Sequence, residues 1–158
     1  MRTCARRADR SVTIAGILLA AGSSRRFGSD KLMQPLADGT PLAVASARVL
    51  RPVLPRVIAV VRPGDRGLAQ AFRDAGLEVV ENPQARLGIG TSVATGASAV
   101  AGADGCLVAL ADMPWVQVAT VRCLVHELET GASIVAPLYL GQRGNPVGFS
   151  ADWFARLA

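Results

Sequence analysis

Five short apolar runs, each bounded by turn or helix signals, constrain this chain more than any other feature. Val12–Ala20, Val57–Val61, Leu77–Val80, Cys106–Ala111 and Ser133–Leu138 are dominated by Val, Ile, Leu and Ala, with no regular polar alternation. A strand that shows one face to water alternates, whereas a continuous apolar run is covered on both faces, as parallel strands between helical layers are. Even the longest run falls well short of the roughly 20 residues needed to cross a bilayer. Between the runs lie helical patterns. Thr40 and Pro41 read as an N-cap and first-turn pair ahead of Leu42, Ala45, Val49 and Leu50. Leu68, Ala71, Phe72 and Ala75 form the next apolar face, with Gly76 at its stop. From about Gly90 to Ala101 the chain uses Ala, Gly, Ser, Thr and Val, small enough for a helix to lie close on a sheet. Val118, Val121, Val125 and Leu128 mark a fourth helix, and Ala151–Leu157 a short last one. This βαβ alternation predicts an α/β fold: three layers, α/β/α, around a Rossmann-like, doubly wound, mostly parallel sheet. Ligands of such sheets bind beyond the carboxyl ends of the strands.

The 158 residues, 51% of them hydrophobic, suit one globular domain, expected over 12–158 behind a flexible extension at 1–11. More than half of the net charge of +5 lies in that extension, where Arg2, Arg6, Arg7 and Arg10 face only Asp9. A nucleic-acid binder needs a basic stripe on the fold itself and aromatics to stack on bases, and aromatics are only 4% of this chain, so neither nucleic acid nor membrane is expected as a partner. Cys4, Cys106 and Cys123 are odd in number and far apart, which indicates neither a disulfide framework nor a zinc site and points to the reducing cytoplasm. The amino-terminal arginines followed by Val12–Ala21 have the outline of a secretory signal, and Ser24–Phe27 faintly that of a twin-arginine address. No apolar stretch follows the second, and cleavage after the first would destroy the turn described next.

Sixteen of the seventeen cations are arginine, and the one lysine, Lys31, closes the most glycine- and serine-rich turn in the chain. A compact ammonium where guanidinium is the rule suits a phosphate held by a point charge. The first strand delivers Gly22, Ser23 and Ser24, whose backbone N–H groups and hydroxyls can cradle an anion. Gly22 and Gly28 allow the backbone to approach a ligand closely. The spacing is neither that of a Walker A loop nor G-x-G-x-x-G.

The turn resembles the signature of the MobA-like NTP transferase family, roughly L-A-A/G-G-x-S-x-R-x-G-x-D/N-K. The match runs through Leu19, Ala20, Ala21, Gly22, Ser24, Arg26, Gly28, Asp30 and Lys31. The resemblance implies a fold of the nucleotide-diphospho-sugar transferase type. It implies a loop, Leu19 to Ser24 with Ser23 included, that wraps a nucleoside triphosphate while Arg26 and Lys31 neutralise its phosphates. Guanylyltransferases of the family usually read L-A-G-G and cytidylyltransferases L-A-A-G, so Ala20-Ala21-Gly22 leans toward CTP.

The other motifs sit just after strands. Asp112-Met113-Pro114 matches the family's D-M/Q-P element, whose aspartate holds the catalytic metal, so the resemblance makes Asp112 a magnesium ligand and a catalytic residue. On spacing alone the N-cap of a proline-led helix is the better reading of Asp112. Asn82, Gly88 and Ser92 fall in a similar N-P…G-x-x-x-S element that contributes to the family's base and ribose pocket. By itself that stretch reads as a loop entering a helix capped by Thr91 or Ser92. The amino end of that helix also offers N–H groups to an anion. Gly141–Phe149 resembles G-x-R-G-H-P-V, which faces the acceptor substrate, with Asn145 in the histidine's place. Asn cannot be protonated near neutrality. Arg143, Gly144, Asn145 and Pro146 are thus acceptor-site candidates, against a plain polar turn.

His126 falls on the polar side of the fourth helix and reads as a solvated surface residue. Trp115 and Trp153 read as packing residues. No arrangement suggests a covalent nucleophile, so direct displacement is expected. The resemblance spans about residues 13 to 154, but relatives normally continue with G-D-x-G-A-R and a late D-x-D-T-P metal element, so the chain reads as C-terminally short. The implied activity is Mg2+-dependent transfer of a nucleotide, CMP from CTP, to a phosphorylated acceptor such as molybdopterin, releasing pyrophosphate. Guanylyltransfer, transfer to another phosphorylated acceptor, and a non-catalytic nucleotide- or cofactor-binding partner of a molybdoenzyme stay open as alternatives.

Overall fold

The computed structural model describes residues 12–22 and 31–158; the expected 1–11 extension and the loop residues Ser23, Ser24, Arg26 and Gly28 lie outside them. In chain order the elements are β1 (Ile14–Leu19), α1 (Leu42–Leu50), β2 (Arg56–Val61), α2 (Arg66–Asp74), β3 (Glu78–Glu81), α3 (Ile89–Ala99) and β4 (Gly105–Leu110). There follow α4 (Val118–Glu129), β5 (Ile134–Val135), β6 (Leu138–Tyr139), β7 (Gln142–Arg143), β8 (Val147–Ser150) and α5 (Phe154–Leu157). One six-stranded sheet runs β3-β2-β1-β4-β8-β5, and β6 and β7 form a separate hairpin. The pairs among β3, β2, β1 and β4 are parallel, while β8 is antiparallel to both β4 and β5. The sheet is mostly parallel, as its apolar runs require.

Two hydrophobic clusters cover its faces. Ile14 and Leu18 of β1 and Val57, Ala59 and Val61 of β2 pack with α1, α2 and α4. Their alternates Ala15, Ile17, Leu19, Ile58 and Val60 face the other way, where α3 and α5 lie. The small-residue composition of α3 has a direct cause: a methyl group at Gly96 would run into Ile17, and Val60 stands 3.3 Å away. Gly76, at φ +80°, ends the α2 region as expected.

Four local expectations need correction. Thr40 does not cap α1; Pro41 stands at the cap, and the Thr40 hydroxyl donates to Asp38 Oδ2 and accepts from Arg48. The buried stripe of α1 is Ala43, Val44, Ser46, Ala47 and Leu50, with Leu42, Ala45 and Val49 only partly covered. The expected strand over Ser133–Leu138 is divided, because Pro137 has no N–H to continue a ladder and its carbonyl instead accepts from Gly144 N. The place beside β4 goes to β8, which falls in the stretch read from sequence as an acceptor-facing motif or a polar turn. Gly148 makes that possible, since a Cβ there would lie 2.6 Å from Val135 Cγ2 and 2.8 Å from Leu107 Cδ2. Among the described residues no helix is long and apolar enough to cross a membrane.

Candidate active site

The central strands β1 and β4 are in register, with Leu19 opposite Leu110. The ladders run one residue past both: Ala20 N donates to Val60 O of β2 (2.9 Å) and Ala111 N to Leu19 O of β1 (3.1 Å). The chain therefore leaves the sheet at Gly22 and at Asp112 side by side. A cavity of about 460 Å³ opens there, a size suited to a small-molecule ligand. Leu19, Ala20, Ala21 and Gly22 form one wall, Leu110 and Asp112 the next, and Lys31 and Leu32 a third. Ala85, Arg86, Gly88, Ile89 and Ser92 close it from the amino end of α3.

Lys31 begins a single 3-10 turn, Lys31–Met33, anchored by the buried Leu32. Its Nζ lies 3.2 Å from Asp112 Oδ2, with the side chains 44% and 45% exposed, so both charged groups stay within reach of a ligand. Asp112 is not a helix cap, because α4 starts only at Val118, after Gln117. Among the described residues no group of three or more His, Cys, Asp and Glu could hold a metal ion. A metal at Asp112 would thus draw its other oxygens from phosphate and water, as hard cations on one carboxylate do. The carboxylate fits that role, since among the described residues its other oxygen makes no hydrogen bond and no helix N–H competes for it.

Asn82, expected in the binding wall, stands behind it. It is 1% exposed, and its amide nitrogen donates to Thr91 Oγ1 (2.9 Å) and Ser92 Oγ (3.0 Å) while Oδ1 accepts from Gln84 N (2.9 Å). The Thr91 hydroxyl is held by Gln84 O and Gly88 O, each at 2.9 Å. Neither Thr91 nor Ser92 caps α3; Gly88 precedes it, at φ +123°, a conformation that favours glycine. Ser92 accepts from Asn82 and lines the cavity, leaving its hydroxyl proton for a ligand acceptor.

The acceptor candidates divide. Asn145 and Pro146 line a small apolar hollow with Ser46, Met113 and Leu110, the last shared with the main cavity. Arg143 lies exposed on the β6–β7 hairpin, and neither it nor Gly144 lines either space. His126 is exposed, as expected. Trp115 is not a packing residue: it is 76% exposed, because the neighbouring Val116 takes the inward position of that short loop. Trp153 is half-buried, donates to Ser133 Oγ at 2.8 Å and carries the Arg156 guanidinium 4.9 Å above its ring. Sequence reasoning missed Arg86, Ala85, Ile89, Leu32 and Leu110 as lining residues. A cation just ahead of a glycine-led helix was the available signal for Arg86. With Lys31 it gives the described wall two cations against one carboxylate, the balance a polyanion accompanied by a metal would match.

Known proteins are similar to this chain over most of its length. The chain is 31% identical over 140 residues to the bifunctional protein GlmU of Geobacter sulfurreducens, covering 86% of this chain and 29% of the relative. It is 31% identical over 156 residues to the purine catabolism protein PucB of Bacillus subtilis, covering 92% and 74%. A probable molybdenum cofactor guanylyltransferase of Mycobacterium tuberculosis is 32% identical over 133 residues, covering 80% and 63%. The chain thus spans under a third of GlmU and somewhat less than two thirds of the guanylyltransferase. The crystal structure of Rv0371c from Mycobacterium tuberculosis superposes with a TM-score of 0.78 at 28% identity, covering 94% of this chain and 76% of that one. The same protein is known in complex with manganese, at a TM-score of 0.72 and 27% identity, covering 92% and 75%. The family model described as MobA-like NTP transferase domain matches residues 16–158, and the chain belongs to that family.

Proposed function

We propose that this chain transfers a nucleotidyl group from a nucleoside triphosphate to a phosphorylated small-molecule acceptor, with Mg2+ as the metal. The observation that carries this reading is the meeting of Lys31 and Asp112 at 3.2 Å on the rim of one cavity beyond the carboxyl ends of β1 and β4. Lys31 and Arg86 bind the triphosphate, together with the Gly22 turn and the amino end of α3. Arg26 belongs to the same phosphate-binding set on the strength of the family motif. Asp112 holds the metal, which when bound supplies charge neutralisation at the α-phosphate and pyrophosphate oxygens. An acceptor phosphate oxygen forms a bond to the α-phosphorus, the bond to the bridging oxygen breaks, and pyrophosphate leaves with the electron pair. The residues orient and neutralise, without any covalent enzyme intermediate.

Ala21, in place of a second glycine, supports CTP as the nucleotide, and molybdopterin is the proposed acceptor. A second reading, guanylyl transfer, is favoured by the 32% identity to a probable guanylyltransferase. Incubation with each of the four nucleoside triphosphates, Mg2+ and molybdopterin, followed by pyrophosphate measurement, tests both. Release with CTP alone supports the first reading and release with GTP alone the second. Binding without release in every combination would leave a non-catalytic nucleotide-binding partner of a molybdoenzyme.

A further inference from the structure

The apolar face of α1 carries one buried hydroxyl. Ser46 is 4% exposed in a stripe otherwise made of Ala43, Val44, Ala47 and Leu50. A hydroxyl in such a place is costly unless it is bonded. Its Oγ lies 3.1 Å from Leu42 O, the back-bond open to any helical serine, and 2.9 Å from Ala111 O, 65 residues away in sequence. The hydroxyl has one proton for two carbonyls. The Ala111 oxygen has the stronger claim, because Ala111 is 1% exposed and stands just past the end of β4. The Ala111 N–H is already spent on Leu19 O. Both backbone polar groups of Ala111 are thus tied, one to β1 and the other to α1, and the next residue is Asp112.

We propose that Ser46 is a positioning residue for Asp112. By holding the Ala111 carbonyl, it sets the peptide from which Asp112 reaches toward Lys31, and so the spacing of the carboxylate and the ammonium across the cavity rim. Ser46 also lines the hollow with Met113 and Asn145, so the same hydroxyl stands between α1 and the loop that follows Asp112. This inference rests on the nucleotidyltransferase reading for its consequence in catalysis, but not for its geometry.

Ser46→Ala removes the donor and keeps the volume nearly constant. The variant should fold and melt a few degrees below the parent, take up Mn2+ with CTP or GTP about fivefold to tenfold more weakly by water-proton relaxation, and lose kcat with little change in acceptor KM. Ser46→Cys, with a weaker donor of similar size, should recover part of the loss. Hydrogen exchange supplies the readout that needs no ligand: the Ala111 amide should exchange faster in Ser46→Ala while Val108, inside the ladder, is unchanged. Equal exchange at Ala111 in variant and parent would overturn the proposal. Lower melting with parental Mn2+–nucleotide uptake would reduce Ser46 to a packing role and overturn it as well. Parent protein that takes up no Mn2+–nucleotide would defeat the functional reading instead, and the Ala111 exchange result would still decide the tether.

Discussion

Lys31 Nζ and Asp112 Oδ2, 81 residues apart in sequence, stand 3.2 Å apart at the cavity rim. An ion pair this exposed contributes about 0–1 kcal/mol to stability, so its two charges can be given up to a ligand at little cost to the fold. Each partner alone reads ambiguously, and their meeting is what supports the proposal that a phosphate and a metal are held here.

Lys31→Ala should weaken nucleoside triphosphate binding at least tenfold, about 1.4 kcal/mol, with thermal unfolding almost unchanged. Lys31→Arg should restore only part, because a planar fork does not replace a point charge. Calorimetric titration with CTP and GTP checks this, and parental affinity in Lys31→Ala would refute the phosphate role.

Asp112→Asn keeps the size of the side chain and removes its charge. Uptake of Mg2+ with nucleotide should fall at least tenfold, whereas nucleotide without metal should bind as well as in the parent or better, since Lys31 then faces no carboxylate. Because Asp112 caps no helix, the melting temperature should hardly move. Parent protein should bind Mg2+ appreciably only with nucleotide present, given one carboxylate among the described cavity-lining residues. Equal Mg2+–nucleotide uptake by variant and parent would remove the metal site from the mechanism.

Asn82→Ala strips three hydrogen bonds from a buried junction between β3 and α3. The loss should be about 2–3 kcal/mol in urea unfolding, with weaker nucleotide binding as the Gly88–Ser92 wall loosens. Asn82→Asp keeps the acceptor for Gln84 N but loses both donations, so it should resemble Asn82→Ala in binding. Unchanged stability in Asn82→Ala would show that water replaces the clamp.

Gly96→Val should destabilise by about 2 kcal/mol or more, because α3 lies against Ile17 and Val60 with no room for a side chain. Gly67→Ala is the matched control: it sits in α2 with open space around it, and should stabilise by about 0.5–1 kcal/mol. Paired urea denaturation curves measure both, and equal midpoints for Gly96→Val and parent would contradict the packing of α3.

Burial pushes the Cys106 thiol from 9.0 up to about 12. The unfolded chain releases that proton near 9 while the folded chain keeps it, so this contribution to stability is complete below pH 9 and is lost as pH rises toward 12. Stability at pH 10.5 should therefore fall below that at pH 8 more steeply in the parent than in Cys106→Ala. Identical pH slopes in urea unfolding would show that the thiol ionises freely in the fold.

The continuous apolar runs of β1, β2 and β4 could be read directly, because burial on both faces leaves its mark in composition. The helix α3 declared its close packing through its small residues for the same reason. Short elements left no such record. β8 is too brief for a pattern, the run at Ser133–Leu138 overstates the two-residue β5, and Gly148 looks like turn chemistry until Val135, Leu107 and Leu128 are seen around it. Trp115 looked like core because composition does not tell which of two adjacent apolar residues turns inward.

For the site, the sequence by itself determined the glycine- and serine-rich stretch that ends at Lys31, the carboxylate after β4, and the family to which both belong. These signals are local: glycine, serine and a lone lysine within one turn carry their chemistry wherever the turn is placed. Only the tertiary structure decided that Asp112 meets Lys31, that Asn82 braces the wall instead of lining it, that Arg86 joins the cavity and that Ser46 holds the Ala111 carbonyl. Each of those is a pairing between residues on different segments. It is set by strand register and helix packing, which no single stretch of the chain encodes.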